Sequence, residues 1–324
     1  MQNNLKYSIF NDSKKYSGNN TTLDRLSKIL YYPDNIIFTD KIVNNIIGIH
    51  AYKFGKKILE SNNNLFPSNL NFILIIGGTD LNIDINTSEK EKIIKQTIKH
   101  AKYIVCFNEF LYNIIINRYN IENNKVKIIA QSVEKIEYIK KPAYLRQLIY
   151  NKRKIENYNK VFIMVGNVRK VKNPFFLQKV FNTVLKEKGY ILVLIGNLID
   201  DFKCKDLGNY WTDNFFNIEP CNKKELQNVY NQADGLINTS DSEGMSSSIL
   251  EAMVNKCPVY ARNIDGNKSI ITHGENGFLF SNPKELVKLL ERPTRNIIKN
   301  AEDYVKKFHN TDLEIYKYKQ ILEK

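Results

Sequence analysis

Glu243 and Glu251 stand eight positions apart in Asn238-Thr-Ser-Asp-Ser-Glu-Gly-Met-Ser-Ser-Ser-Ile-Leu-Glu251. Gly235-Leu-Ile ahead of them reads as the end of a buried strand, and 238–243 is polar and turn-like. From Ser246 the apolar residues Ile249, Leu250, Met253 and Val254 fall at helical spacing. Ser246, Ser247 or Ser248 caps that helix. A strand therefore runs through a tight loop into a helix N-terminus, where orphan backbone N–H groups and the dipole favour an anion. With the helix starting near Ser246, Glu251 lies about 7 Å further along it. The two carboxylates can then grip separate hydroxyl-bearing groups on either side of one phosphate-bearing ligand. The competing account is a helix with one solvated and one capping glutamate.

A second chemical loop is Gly166-Asn-Val-Arg169-Lys-Val-Lys172-Asn-Pro174, after the apolar run 161–165. A diphosphate needs charge and several donors; Arg supplies a bidentate fork and Lys a mobile point charge. Spaced by three after a strand, Arg169 and Lys172 can face the same ligand, although a solvated basic loop has the same composition. His50 ends another apolar run, where it either donates to a sugar or phosphate or is structural. Gly77-Gly-Thr79-Asp80 is a further strand-end loop. Its glycines allow a sharp bend, and Asp80, beside Thr79, either binds acceptor hydroxyls or closes an Asx turn. Gly18 lies between the first predicted strand and helix, where it allows close backbone approach or forms an ordinary turn.

These loops need strands to carry them. The pattern predicts strands over 7–10, 46–49, 72–76, 103–107 and 126–130, with helices over 21–30, up to 59, 89–101 and 110–118. The stretch 138–160 is basic, tyrosine-rich and weakly patterned, and is the expected linker. The alternation then restarts, with strands over 161–165, 191–195, 235–237 and 258–261 and helices over 174–186, 223–231 and 284–290. A helical tail follows from 296. Alternating strands and helices point to α/β domains with parallel sheets, whose ligands sit beyond the strand C-terminal ends.

A chain of 324 residues, 43% hydrophobic, is enough for two such domains. The net charge of +14 is spread, with a surplus of 8 over 1–150 and 6 over the remainder. Abundant Asn, Ile and Lys fit a compositional origin; a real field would draw in a polyanionic ligand or an acidic acceptor surface. The even spread and lack of a basic cluster argue against nucleic acid as partner. Cys106, Cys204, Cys221 and Cys257 form no C-x-x-C pair, so neither a zinc site nor a disulfide framework is indicated. With no apolar N-terminal segment and no run near the length of a transmembrane span, a cytoplasmic protein is expected.

The Glu-x7-Glu spacing, with Ala252-Met253, Pro258-Val259 and Gly274-Glu-Asn-Gly-Phe-Leu-Phe280, resembles the signature of retaining glycosyltransferases of the GT4 type. Ser17-Gly-Asn19, Gly77-Gly-Thr-Asp-Leu-Asn82, Val168-Arg-Lys-Val-Lys172, Ser242-Glu-Gly-Met-Ser246, Ala261-Arg-Asn-Ile264 and Leu279-Phe-Ser-Asn-Pro283 are similar to the glycosyltransferase 1 domain-containing protein 1 family over nearly the full length. The resemblance implies an α/β GT-B fold, two Rossmann-like doubly wound domains facing across a cleft. The expected divisions are an acceptor-side domain over 1–145, a nucleotide-sugar-binding domain over 146–305, and a C-terminal helix over 306–324 that packs back on the first domain.

It further implies a donor site of Gly18, Arg169, Lys172, Glu243, Gly244, Met245, Ser246 and Glu251. Glu243 is expected nearest the sugar, Glu251 on the ribose, and Arg169 and Lys172 on the pyrophosphate. His50 joins Glu243, Lys172 and Arg169 as a catalytic candidate, and Thr79 and Asp80 are the acceptor-side candidates. The chain departs from the commoner form at Asn167, where an arginine is usual, and near Phe216-Asn-Ile-Glu-Pro220, where a glycine is missing beside the expected base pocket. The implied reaction transfers a sugar with retention from a UDP- or GDP-sugar to a glycan, protein or lipid-linked acceptor, the leaving phosphate serving as base. No Asp-x-Asp occurs, so neither a metal nor any other cofactor is expected. The rival activities are a nucleotide-sugar epimerase, a phosphorylase, and a glycosyltransferase or binder directed at nucleic acid.

Overall fold

The computed structural model describes residues 8–10, 18–30, 46–68, 70–199, 207 and 210–323. Tyr7, Ser17 and Cys204 lie outside them. The described chain forms two compact units. The first gathers residues up to Ser132, residues 243–245 and those from Thr311; the second holds the rest.

In the first unit the elements run β1 (Ser8–Phe10), α1 (Gly18–Leu30), β2 (Ile46–Ile49), α2 (Ala51–Ser61), β3 (Phe72–Ile75), α3 (Thr79–Asn82), α4 (Ser88–His100), β4 (Tyr103–Cys106), α5 (Glu109–Tyr119) and β5 (Val126–Ile128). The strands lie side by side in chain order, all parallel. Gly18 opens α1 instead of sitting in the loop before it. Strand side chains alternate between faces. Ile46, Phe72, Leu74, Ile104 and Cys106 pack under α2, α4 and α5. Ile47, Ile49, Ile73, Ile75 and Val105 point the other way.

The second unit runs α6 (Tyr144–Arg153), β6 (Lys160–Val165), α7 (Gln178–Phe181), α8 (Val184–Glu187), β7 (Tyr190–Ile195), β8 (Phe215–Ile218), α9 (Lys223–Gln232), β9 (Gly235–Asn238), α10 (Ser247–Val254), β10 (Val259–Arg262), α11 (Asp265–Lys268), β11 (Phe278–Phe280), α12 (Pro283–Leu289) and α13 (Arg295–Phe308). Its parallel sheet has the order β11-β10-β9-β6-β7-β8. The chain lays β7 and β8 on one side of β6, then returns to place β9 on the other. Between β6 and β9 the winding reverses, which is where open α/β sheets leave a crevice for a ligand.

The last helix, α14 (Thr311–Leu322), belongs to the first unit. Its Tyr318, Ile321 and Leu322 join Leu23, Leu26 and Ile29 of α1 over the face opposite α2, α4 and α5. The helices α2, α4 and α5, which follow β2, β3 and β4, cover one face of the sheet. The other face is buried because α1 and α14 supply apolar residues to it.

Several elements differ from the sequence pattern. The expected linker contains α6, whose Leu145 and Ile149 are buried and whose Leu145 N–H donates to Gln232 Oε1 of α9 at 2.9 Å. Leu145, Leu148 and Ile149 fall at helical spacing, but in a single short turn set among basic residues and tyrosines, too brief a run to mark a helix by itself. The helix expected over 174–186 is broken into α7 and α8. Leu177, Phe181 and Leu185 keep one buried face, but Asn182 bonds Thr212 and Thr183 leaves the helical region. The tail is two helices, α13 ending at a buried His309. Strands β8 and β11 carry no period that distinguishes them in the sequence; ladder pairing to β7 and β10 defines them.

Candidate functional site

The crevice between β6 and β9 forms an open pocket. Gly166, Asn167, Val168 and Lys172 line it from the loop after β6, Asn238, Thr239 and Ser240 from the end of β9, and Ser248 from α10. Polar strand ends and a lysine thus surround a space floored by Met164, Leu194 and Ile237.

The two loops are stapled together. Thr239, 1% exposed, donates its hydroxyl to the carbonyl of Lys172 at 2.8 Å. The N–H of Asp241 donates to Val171 O at 2.9 Å, and Asn173 Nδ2 to Asp241 Oδ1 at 3.0 Å. The backbone beneath Lys172 is thereby held in a short 3-10 turn over 170–172. Arg169 opens that turn in an extended conformation and is absent from the pocket wall. The structure therefore brings Lys172 into the pocket and leaves Arg169 beside it.

Ser246 is the N-cap of α10, as the sequence allows. It is buried, and its side chain makes no capping bond to the helix backbone. Its Oγ instead meets Ser248 Oγ at 3.1 Å and accepts from Asn238 Nδ2 at 3.4 Å. Asn238 Oδ1 in turn accepts from Asn267, which is fully buried. The first turn of α10 thus receives no capping bond from its own N-cap side chain beside the pocket, an arrangement suited to an anion.

Glu251 lies on α10, half-buried. Tyr230, itself buried, donates its hydroxyl to Glu251 Oε2 at 2.9 Å. Burial pushes the Glu251 carboxyl above its ordinary value, opposed by the Tyr230 hydrogen bond and the charge of Lys223. One oxygen is held and the group is oriented.

Glu243, Gly244 and Met245 belong to the first unit. Glu243 is half-buried, and its carbonyl accepts from Asn82 Nδ2 at 3.1 Å. Gly244 is buried, and its carbonyl accepts from Asn108 Nδ2 at 2.6 Å. A Cβ on Gly244 would stand 2.8 Å from Gly78 Cα, closer than real contacts allow. Met245 packs on the α1–α14 side of the first core.

The first-unit candidates are placed otherwise than expected. Asp80 is fully buried, and its carboxylate accepts from the N–H groups of Ala51 (2.9 Å), Gly77 (3.1 Å), Gly78 (2.7 Å) and Leu81 (3.2 Å). Both oxygens are spent on backbone, which corrects the expectation that they bind acceptor hydroxyls: Asp80 anchors the β3 loop to the start of α2. His50, 1% exposed, is the N-cap of α2 with φ +76°. Lys53 N–H donates to Nδ1 at 3.5 Å, which leaves the proton on Nε2 to donate to Thr79 Oγ1 at 3.1 Å. Burial lowers the His50 pKa, with Asp80 pulling the other way, so the neutral ring prevails at pH 7. His50 and Thr79 hold each other.

Thr239, Asn238, Asn267, Asp241 and Tyr230 were not among the sequence candidates. Asn238, Thr239 and Asp241 lie in the strand-end loop that leads to Glu243, which was the available signal; Tyr230 and Asn267 come from other elements.

Among the described residues, no three His, Cys, Asp or Glu side chains are grouped to hold a metal ion. No described helix is long and apolar enough to cross a membrane.

The family model of glycosyl transferases group 1 matches residues 146–307, half of the chain, and the chain belongs to that family. It is a glycosyltransferase. It is 28% identical over 332 residues to the glycosyltransferase 1 domain-containing protein 1 of Xenopus tropicalis, covering 95% of each chain. It is 26% identical to the O-antigen chain mannosyltransferase RfbU of Salmonella typhimurium over 67% of this chain and 57% of that one. Among solved structures, Anabaena Alr3699/HepE in complex with UDP-glucose superposes with a TM-score of 0.77 at 14% identity, covering 98% of both chains. TarM superposes with a TM-score of 0.65 at 16% identity over 86% of this chain and 54% of its own. The fold is GT-B.

Proposed function

We propose that this glycosyltransferase is of the retaining GT4 type and takes a nucleoside-diphosphate sugar, of UDP or GDP, as donor. The reading rests chiefly on the β6–β9 pocket, where Lys172 and the first turn of α10 converge at the winding reversal of the second sheet. A diphosphate is the ligand such a pair suits, charge from one side and N–H groups from the other. The UDP-glucose held by the similar HepE fold supports the same ligand class.

Glu251, oriented by Tyr230, takes the ribose hydroxyls, and Glu243 takes the donor sugar. Arg169, at the mouth of the Lys172 turn, adds charge as the diphosphate leaves. Gly18 remains a donor-side candidate at the start of α1. The leaving phosphate serves as base, so transfer runs without a bound metal. The acceptor is a glycan, protein or lipid-linked molecule. The cytosol is the assigned compartment, which the free thiols of Cys106, Cys221 and Cys257 support.

Calorimetric titration with UDP and GDP tests the donor reading. Lys172→Ala should weaken the preferred nucleotide about tenfold or more, the loss expected for a charge-assisted hydrogen bond. Glu243→Ala should leave nucleotide affinity nearly intact while abolishing release of UDP or GDP from the corresponding sugar. Equal nucleotide affinity of Lys172→Ala and the wild type would sink the assignment. Retention is read from the anomeric configuration of the product by NMR, and metal independence from turnover in EDTA.

A further inference from the structure

Three successive carbonyls of the site loop are held by three side-chain amides. Glu243 O accepts from Asn82 Nδ2 at 3.1 Å, Gly244 O from Asn108 Nδ2 at 2.6 Å, and Met245 O from Gln131 Nε2 at 3.3 Å. The donors follow three adjacent strands: Asn82 comes after β3, Asn108 after β4 and Gln131 after β5. All six residues belong to the first unit. Two of the carboxamides are buried and fixed from behind. Asn108 is 6% exposed, and its Oδ1 accepts from Leu111 N–H at 3.0 Å as the N-cap of α5. Gln131 is 3% exposed, and its Oε1 accepts from Arg25 Nη1 at 3.1 Å. Arg25 is gripped by the buried Glu314 of α14, whose other oxygen accepts from Ser132 N–H at 2.8 Å. Gly78 presses on Gly244 from the β3 loop, so the loop cannot shift toward it.

We infer that Asn82, Asn108 and Gln131 are positioning residues, a clasp of three amides that fixes the backbone from which Glu243 reaches the donor sugar. The inference rests on the role proposed for Glu243. A loop residue that contacts a reacting sugar must be held to a fraction of an ångström, because small misplacements cost large factors in rate. The β9–α10 loop has no regular structure over 239–246 to supply that rigidity itself. Neutral amides are suited to this role because they satisfy buried carbonyls without placing a cation beside Glu243. Glu314 and Arg25 extend the same support, so α14 reaches the site loop through Gln131.

The clasp can be opened without disturbing the fold, because each amide has an isosteric acid. Asn108→Asp keeps the acceptor that caps α5, aspartate being as good a cap as asparagine, but loses the donor to Gly244 O. Gln131→Glu keeps the acceptor for Arg25 and loses the donor to Met245 O. Nucleotide release from UDP-glucose and GDP-mannose is measured for wild type and both variants, alongside hydrogen–deuterium exchange of peptides across 243–250 and across α5. The expected result is kcat lowered about tenfold or more with little change in KM, faster exchange confined to 243–250, and an unchanged α5. Unchanged exchange in both variants overturns the clasp; faster exchange with unchanged kcat overturns its positioning role. A wild type that releases nucleotide from neither donor overturns the donor reading instead, and the exchange arm then decides the clasp alone.

Discussion

Tyr230→Phe removes a single oxygen from the second unit, and its consequences can be worked from the geometry. The hydroxyl lies 2.9 Å from Glu251 Oε2, and Tyr230 is 1% exposed. A hydrogen bond to a charged group contributes about 1.5–3 kcal/mol. Glu251 is half-buried and regains some water, so the lower part of that range applies, about 1.5–2 kcal/mol. In a unit of this size the melting temperature then falls by about 3–8 °C. The pH dependence has a definite sign. Burial raises the Glu251 pKa above 4.5, so the folded state holds the proton more tightly than the unfolded chain does. The stability tied to that proton is fully present below 4.5 and is lost as pH rises through the folded value. Tyr230 opposes this loss by stabilising the charged form; without it the folded pKa climbs further and the loss deepens above it. The gap between wild type and variant should therefore be small at acid pH and widen toward neutrality. Differential scanning fluorimetry across that range reads it directly. A gap that is absent at neutral pH, or widest at acid pH, refutes the account of how Glu251 is held.

Two further outcomes follow from the first unit. Asp80→Asn turns one accepting oxygen into a donor facing backbone N–H groups, since Oδ1 and Oδ2 each accept from two. Stability to urea should fall by about 2–5 kcal/mol, and an unchanged midpoint would mean that the carboxylate is not the anchor. Gly244→Ala places a Cβ 2.8 Å from Gly78 Cα, which is backbone and cannot rotate aside. Nucleotide release from the donor should drop about tenfold or more, and full activity would show that the loop has room to move.

The fold was legible where one element carried its own pattern. Buried parallel strands such as Phe-Ile-Leu-Ile at β3 and Tyr-Ile-Leu-Val-Leu-Ile at β7 are continuous apolar runs, and polar loops follow both. Elements set by partners were not legible. Helix α6 depends on Gln232 for its first turn, and β8 contains Asn217, which is accommodated because its amide donates to the carbonyls of Leu194, Gly196 and Ile218. The same division runs through the site. Lys172, Ser246 and Glu251 sit in local motifs, which is why the spacing together with the family resemblance singles them out as candidates. Asp80 and His50 looked like ligand groups because a polar residue at a strand end usually faces solvent; here four backbone donors and a threonine hydroxyl claim them. Asn82, Asn108 and Gln131 stand far apart in sequence, and nothing but the parallel order of β3, β4 and β5 brings their amides to consecutive carbonyls. A motif names the groups that can meet a ligand. What fixes those groups is written in residues that only the sheet order places side by side. Substitutions at such supporting amides should therefore lower turnover while leaving the motif itself unaltered.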